Sequence, residues 1–589
     1  MKRFLPRTWM YDAIFGLLML ALVGLAARQI MLVRQGRPRA LEAARTQEKV
    51  LLSEPARPGN IYAKTFSKYI LLASSKQVPY CYADPSLIKD EQLADAAIGL
   101  GEVLAMDPRQ VQDLLVSRRD GRFVRIKEDL RPEEVQAVQK MRNSPFGIKY
   151  DWRRDYPNGQ LASNVIGFRM HDGEAGEGLE LGQDEHLAAA DGLSVSLADA
   201  RRRRIWPVPD LSRPPRDGSH VFLTIDAVIQ GYLEKAVAAA AEKFEPKWVI
   251  GIVANCQTGE ILGMCSLPTF NPNEYNKTDP ASRTNRAICL PYEPGSAFKP
   301  IVAAAAIEAG VVRWDTMINC EGGLYNAMRG GVISDHGSHY GLLSVNDIIV
   351  KSSNIGMAKV GEKLGNQAMF RTVNAFGFGA DTGIGLPGES AGIVRKLRDW
   401  DGYSLRRVPF GQEISVTGLQ LTMAYCALAN GGLLLKPRLI DHVCDPQGRV
   451  IWRSRTEVVR RVISPQTSQQ MVAVMRQVVD RKDGTGHLAL SDRWTIFGKT
   501  GTAQIPGVGG YAEGAFTGSF VGGAPASSPW VLCLISVYWP NRSKGHFGAT
   551  VAAPYVKEVL EETLSYLDIP PDRTDDPKLP GNAVVAAKR

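Results

Sequence analysis

The sequence predicts an α+β protein behind one apolar anchor. Three observations predict it. An apolar stretch from Tyr11 to Val33 is long enough to cross a bilayer, with Asp12 and Arg28 near its ends. Further along, apolar runs joined by short Gly- or Pro-bearing loops read as antiparallel strands. Between and after them, apolar residues recur at helical spacing.

The elements follow in order. Lys2, Arg3 and Arg7 precede the span, while Arg28, Arg34, Arg37 and Arg39 rival them, so charge does not fix its orientation. The length fits an uncleaved anchor. A cleaved signal peptide is the alternative, because small residues precede Arg28. Both readings export the remainder. Residues 1–10 are then a cytoplasmic N-terminus and 11–33 the transmembrane anchor. Residues 34–215 are read as a non-catalytic module. A strand-like stretch begins at Arg57-Pro58-Gly59-Asn60-Ile61-Tyr62, and Asp95 to Val103 and Pro132 to Met141 look helical. Arg154-Asp155-Tyr156-Pro157 and Gly178-Leu179-Glu180 suggest no catalysis in themselves. The Pro-rich linker Pro207 to Pro215 closes the module.

The second region, 216–569, opens on a strand from Val221 to Asp226 and an Ala-rich helix from Ala227 to Phe244. Trp248 to Ala254 and Glu260 to Ser266 form a hairpin around Cys256-Gln257-Thr258-Gly259. Gln412 to Ala429 is an apolar helix stopped by Asn430-Gly431-Gly432, and Pro465 to Val479 is another. Arg493 to Gln504, Phe516 to Gly522 and Trp530 to Tyr538 read as an antiparallel meander, followed by a helix from Val556 to Leu567. Residues 570–589, rich in Pro, Asp and Lys, read as a disordered tail.

Composition narrows the function. A chain of 589 residues holds two to four domains, and 44% hydrophobic with 22% charged residues is ordinary globular material. A net charge of +9 is modest for this length. The densest basic run, Arg201 to Arg204, reads as a solvated loop; without any nucleic-acid motif it argues for no nucleic-acid partner. Eight Cys show no C-x-x-C and eight His no H-E-x-x-H, so neither a metal site, another cofactor nor a disulfide scaffold is indicated. Cys426 and Cys533 sit in apolar runs as core residues. His336 and His339 lie in a polar loop.

Chemistry points to Tyr292-Glu293-Pro294-Gly295-Ser296-Ala297-Phe298-Lys299-Pro300. The apolar run behind it reads as a buried helix whose first turn carries Ser296 and Lys299, three apart and on one face. A Ser hydroxyl needs a base to become a nucleophile, and a Lys serves as base only when burial or positive potential lowers its pKa. By itself S-x-x-K is a weak signal. Ser352-Ser353-Asn354 is equally cheap alone, since S-x-N commonly caps a helix. Lys499-Thr500-Gly501-Thr502 lies on the first meander strand. Gly498-Lys499-Thr500 looks like the end of a P-loop, but Arg493 stands where the earlier glycine is required and a strand follows.

The order S-x-x-K, S-x-N, K-T-G is specific for β-lactamases and penicillin-binding proteins. Ser296 attacks a carbonyl and Lys299 takes its proton. Ser352 relays a proton to the leaving amine, and Asn354 holds the substrate amide. Lys499, Thr500 and Thr502 hold a carboxylate. The backbone N–H groups of Ser296 and Thr502 meet the oxyanion. Gly501, without a side chain, lets a substrate strand lie close.

With Asn285-Arg286-Ala287, Leu223-Thr224-Ile225-Asp226, Thr258-Gly259-Glu260-Ile261-Leu262, Pro268-Thr269-Phe270-Asn271-Pro272-Asn273, Gly178-Leu179-Glu180 and Ala429-Asn430-Gly431-Gly432, the chain resembles a class B penicillin-binding protein, a monofunctional D,D-transpeptidase. The resemblance spans nearly all of residues 1–570. It implies an antiparallel sheet sandwiched by helices, an elongated pedestal and an extracytoplasmic (periplasmic) catalytic domain on a single-pass anchor. It also implies D-Ala-D-Ala stem peptides as donors, a stem amine as acceptor, β-lactams as acylating inhibitors, and a polymerase of the shape, elongation, division and sporulation (SEDS) class as partner. Tyr62-Ala63-Lys64-Thr65 departs from the family's common Asp-Arg-Asn-Gly, which touches partner contacts rather than chemistry. Arg154-Asp155-Tyr156-Pro157 and Asn285-Arg286-Ala287-Ile288 lean toward the division branch. The rival readings are a D,D-carboxypeptidase or β-lactamase, using water as acceptor, and a β-lactam sensor or inactive scaffold. The long pedestal argues against the first and the intact motif residues against the second.

Overall fold

A computed structural model describes residues 8–47, 49–119, 121, 123–141, 145–198, 204–327, 331–335, 338–507 and 510–573. Lys2, Arg3, Arg7, Arg201 to Arg203, His336 and the tail from residue 574 lie outside the described residues.

The chain divides into two compact units. One comprises the segment up to Arg57 together with Ala189–Asp217. Its helix Thr8–Gln47 contains the stretch Tyr11–Leu32, long and apolar enough to cross a membrane. The helix runs well past Val33. The unit's strands Lys49–Glu54, Gly192–Ala198 and Arg204–Pro207 form a three-stranded antiparallel sheet. Asp191 and Asp217 accept the backbone N–H groups of Ala56 and Arg57.

The other unit comprises Pro58–Ala188 and Gly218–Arg589. In chain order its principal elements begin with β1 (Ile61–Lys64), β2 (Tyr69–Ala83), β3 (Val124–Lys127), β4 (Phe146–Asp155) and β5 (His220–Asp226). Next come α1 (Ala227–Phe244), β6 (Trp248–Asn255), β7 (Ile261–Leu267), α2 (Lys299–Glu308), α3 (Val345–Lys351), α4 (Asn354–Leu364) and α5 (Gly418–Ala429). They are followed by β8 (Ile440–Cys444), β9 (Val450–Arg453), α6 (Pro465–Asp480), β10 (Phe497–Gly507), β11 (Gly510–Ala524), β12 (Val531–Tyr538) and α7 (Ala553–Tyr566).

One sheet has the order β9-β8-β5-β1-β2-β3, with β4 also on β2. Its β5–β1 pairing is parallel and carries it across residue 215, where the composition marks a linker. Three sequence motifs without chemistry meet beside it. Arg154 donates through Nε to Glu180 at 2.5 Å and through Nη1 to the Gly59 carbonyl at 2.6 Å. Tyr156 donates to Glu180 at 3.2 Å, and Arg169 bridges Glu180 and Asp184. Buried cations need such partners.

The second sheet has the order β7-β6-β12-β11-β10, antiparallel throughout. Its central strands are buried on both faces, so they read as continuous apolar runs rather than alternating ones. Val249 and Val253 of β6 pack with Leu233, Val237 and Phe244 of α1 and with Val556 and Leu560 of α7. Ile250 and Ile252 face the opposite core, with α2, α4 and the fully buried α5. The sheet is thus sandwiched by helices, and β10 forms its edge.

Several boundaries differ from expectation, among them the strand expected from Phe516 to Gly522, which spans Gly510–Ala524. The helix expected from Gln412 starts at Gly418, because Thr417 and Gln420 form a capping box and Ser415 and Val416 pair with Ile393 and Tyr292. The strand expected from Arg493 starts at Phe497: Ser491 Oγ accepts from the Arg493 and Trp494 N–H groups, and the Thr495 N–H goes to Asp572. That last bond also holds the start of the expected tail, residues 570–573, against the domain.

Candidate active site

The Ser296 segment enters as a single turn of tighter helix, Gly295–Phe298, and only then becomes α2. Such 3₁₀ turns are common at helix N-termini. Pro300 sits at the start of α2, where its missing N–H costs little. The turn is pinned from several sides. Tyr292 and Val416 exchange backbone hydrogen bonds, and the Gly295 N–H donates to the Gly411 carbonyl at 3.1 Å. Tyr425 of the buried α5 donates to the Ala297 carbonyl at 2.6 Å. Gly295 has φ +53°, and a Cβ there would stand 2.8 Å from the Thr502 carbonyl oxygen.

Ser296 is partly exposed, and Lys299 behind it is fully buried. Among the described residues no hydrogen bond engages the Ser296 hydroxyl. The Lys299 amine turns instead to the S-x-N motif. It donates to Asn354 Oδ1 at 2.8 Å, to Ser352 Oγ at 3.2 Å and to the Ser352 carbonyl. Ser352 is the left-handed cap of α3, with φ +63°. For a non-glycine residue this costs free energy and requires a supporting surround. Ser353 caps α4, and Asn354 opens it. The S-x-N segment thus caps its helices, as the commonplace reading expects, and at the same time brings Ser352 and Asn354 to the Lys299 amine.

Lys499, also fully buried, approaches Ser352 from the edge strand β10. Its amine donates to Ser352 Oγ at 2.9 Å and to Thr500 Oγ1 at 3.2 Å. Thr500 in turn donates to Thr485 at 2.9 Å. One hydroxyl, that of Ser352, thus stands between two lysine amines. Burial pulls the Lys299 amine down to about 7, against a partial upward pull from Asp335. Burial and then the neighbouring Lys299 charge hold Lys499 well below the ordinary lysine range. Lys299 is therefore able to be neutral near pH 7, as a general base requires.

Gly501 packs against the Ser296 turn. A Cβ at Gly501 would lie 2.3 Å from Ser519 Oγ, 2.9 Å from the Pro294 carbonyl oxygen and 3.2 Å from Ala297 Cβ. Its missing side chain admits the Ser296 turn. Thr502 Oγ1 accepts the Gly548 N–H at 3.2 Å. The eight residues singled out by sequence gather in one place: the Ser296 turn packs on β10, and Lys299 and Lys499 converge on Ser352 and Asn354.

Several neighbours escaped the sequence reading. Thr485 sits in Gly484-Thr485-Gly486, which reads only as a turn. Asp335 accepts from the Asn354 N–H at 2.6 Å, from Ile355 N–H at 3.1 Å and from the Ser353 hydroxyl at 2.8 Å. Glu293, inside the nucleophile motif, is buried and accepts from the Glu413 N–H and the Tyr511 hydroxyl. Burial outweighs those bonds and pushes its carboxyl up to about 7.

This geometry has relatives. Residues 249–561 match the family described as the penicillin binding protein transpeptidase domain, and residues 53–223 match the penicillin-binding protein dimerisation domain. The chain belongs to the penicillin-binding protein transpeptidase family, in the class B arrangement of both domains. Peptidoglycan D,D-transpeptidase FtsI of Escherichia coli is 28% identical over 581 residues, 96% of this chain and 93% of that protein. Stage V sporulation protein D of Bacillus subtilis is 31% identical over 507 residues, 85% of this chain and 77% of that protein. Penicillin binding protein 3 of Mycobacterium tuberculosis, solved in complex with aztreonam, superposes with TM-score 0.69 at 28% identity, covering 89% of this chain and 98% of that one.

Proposed function

We propose that this protein is a peptidoglycan D,D-transpeptidase working through an acyl-enzyme on Ser296. The observation that carries the proposal is the convergence of the two buried amines, Lys299 and Lys499, on Ser352 beside the Ser296 turn. Lys299 takes the Ser296 proton as Oγ bonds to the carbonyl carbon of the penultimate D-Ala. The bond to the terminal D-Ala nitrogen breaks, and Ser352 passes a proton to that leaving amine. The amine of a neighbouring stem peptide then attacks the ester, and Ser296 regains its proton. The backbone N–H groups of Ser296 and Thr502 receive the oxyanion. Asn354 holds the donor's amide, while Lys499, Thr500 and Thr502 hold its carboxylate, and Gly501, without a side chain, lets the donor strand lie close. A β-lactam enters the same path and stops at the acyl-enzyme.

The apolar helix near the N-terminus supports a membrane-anchored protein with its catalytic domain on the periplasmic side. Residues 34–215 serve as pedestal and 216–569 as catalytic domain, with a SEDS-class glycan polymerase as partner. The pedestal and Asn285 motifs favour septal over elongation synthesis.

The test is intact mass of the full chain after mixing with a penicillin, followed over hours. A stable one-to-one adduct on Ser296, absent in Ser296→Ala, is the expected result. A vanishing adduct with consumed drug points to hydrolysis, and no adduct to an inactive scaffold; either result refutes the proposal.

A further inference from the structure

Asp335 is one of the buried carboxylates that the reaction, as written, does not use. It follows the strand Val332–Ser334 and lies far in sequence from the motif it touches. Oδ1 accepts from two successive backbone N–H groups, Asn354 at 2.6 Å and Ile355 at 3.1 Å, at the N-terminus of α4. Oδ2 accepts from the Ser353 hydroxyl, which itself accepts the Gly356 N–H at 2.9 Å. The Asn354 side chain is held from the same strand, its Nδ2 donating to the Ser334 carbonyl at 3.0 Å. That bond leaves Asn354 Oδ1 facing Lys299. A helix N-terminus favours a negative charge, and a carboxylate accepting backbone N–H bonds is strongly held there.

We propose that Asp335 is a positioning residue of the acyl transfer: its carboxylate locks the Ser352-Ser353-Asn354 turn against Lys299 and sets a negative charge one residue removed from the Lys299 amine. The inference rests on the reading of Ser296 and Lys299 given above. The surround is well defined among the described residues. Lys299 shares Ser352 with Lys499 and feels Asp335 and Cys320. Cys320 lies 3.4 Å from the Ser353 hydroxyl and feels Asp335, Lys359 and Glu321 in turn. Asp335 is the carboxylate whose charge acts on the Lys299 amine, and it does so without touching it. It therefore raises the proton affinity of the base while keeping the base free to receive the Ser296 proton.

The experiment is the rate of acylation of the full-length protein in detergent by a fluorescent penicillin, measured from pH 5 to 9. Wild type, Asp335→Asn and Asp335→Ala are compared, with a thermal melt on each. Asp335→Asn keeps the acceptor oxygen for the helix N-terminus and removes the charge. It should acylate within about fivefold of wild type at the high-pH plateau. Its acid limb should move to lower pH, by up to roughly one unit, because Lys299 loses its negative neighbour. Asp335→Ala should lose at least about tenfold at every pH. If that variant does not fold, Ser353→Ala removes one of the same bonds and should lose about fivefold. An acid limb in Asp335→Asn that coincides with wild type overturns the charge role. A folded Asp335→Ala, or its Ser353→Ala substitute, acylating within twofold of wild type overturns the positioning role. Wild type that is not acylated on Ser296 at all refutes the proposed function instead, and is seen before any variant is compared.

Discussion

Arg154 and Arg169 beside the sheet β9-β8-β5-β1-β2-β3, and Lys299 and Lys499 beside the edge strand β10 of the other sheet, are all withdrawn from water, yet they meet different partners. The two guanidinium groups converge on one fully buried carboxylate, Glu180. For Arg169, burial pulls the guanidinium down, but Glu180 and Asp184 outweigh it and leave it above its ordinary value. The two lysines converge on a hydroxyl, and among the described residues no carboxylate touches either amine. Burial then wins, and both amines are pulled down. The same desolvation thus gives a fixed charge in one place and a usable base in the other. What differs is whether a counter-charge sits in contact or stands one residue removed, as Asp335 does.

The comparison can be broken at each end. The largest expected effect is at the base: Lys299→Met should slow penicillin acylation by about 10²–10⁴-fold. The same variant should unfold at equal or higher denaturant concentration, since it removes a buried amine with no counter-charge in contact. Next in size, Glu180→Ala strands two arginines and should cost about 3–5 kcal/mol in denaturant unfolding. Its acylation rate per folded molecule should stay at the wild-type value. A stability loss in Lys299→Met matching that of Glu180→Ala would erase the distinction. Smallest, Gly501→Ala forces a methyl against Ser519 and Pro294 and should cost about 1–3 kcal/mol, with slower acylation because the Ser296 turn shifts.

The two clusters also differ in how far the sequence exposes them. Ser296 and Lys299 are legible because a base and nucleophile must share one helical face, and that spacing is local. Lys499 is legible because β10 reads as a strand and its motif is short. The ion cluster is not, since Arg154 and Glu180 lie 26 residues apart and neither position carries chemistry by itself. Asp335 and Thr485 were missed for a related reason: each lies in a turn-like segment and acquires its role through a neighbour brought by folding. Most strands and helices follow from apolar periodicity, while the sandwich they build was implied only by the family resemblance. The misplaced starts at Gln412 and Arg493 reflect backbone groups already committed to Ile393, Tyr292, Ser491 and Asp572, which no local pattern reveals. That the Ser296 turn packs on Gly501 was not legible in the sequence, because that contact also comes from folding.

The central claim is that desolvation makes Lys299 a base near neutrality, and the pH dependence of Ser296 acylation tests it directly. A group pulled down to about 7 is protonated and idle below that pH and free above it. The acylation rate should therefore rise through a single step with a midpoint near pH 7 and level off above it, and the step should vanish in Lys299→Met. A rate that is flat from pH 5.5 to 8.5, or a step that survives in Lys299→Met, would contradict the account.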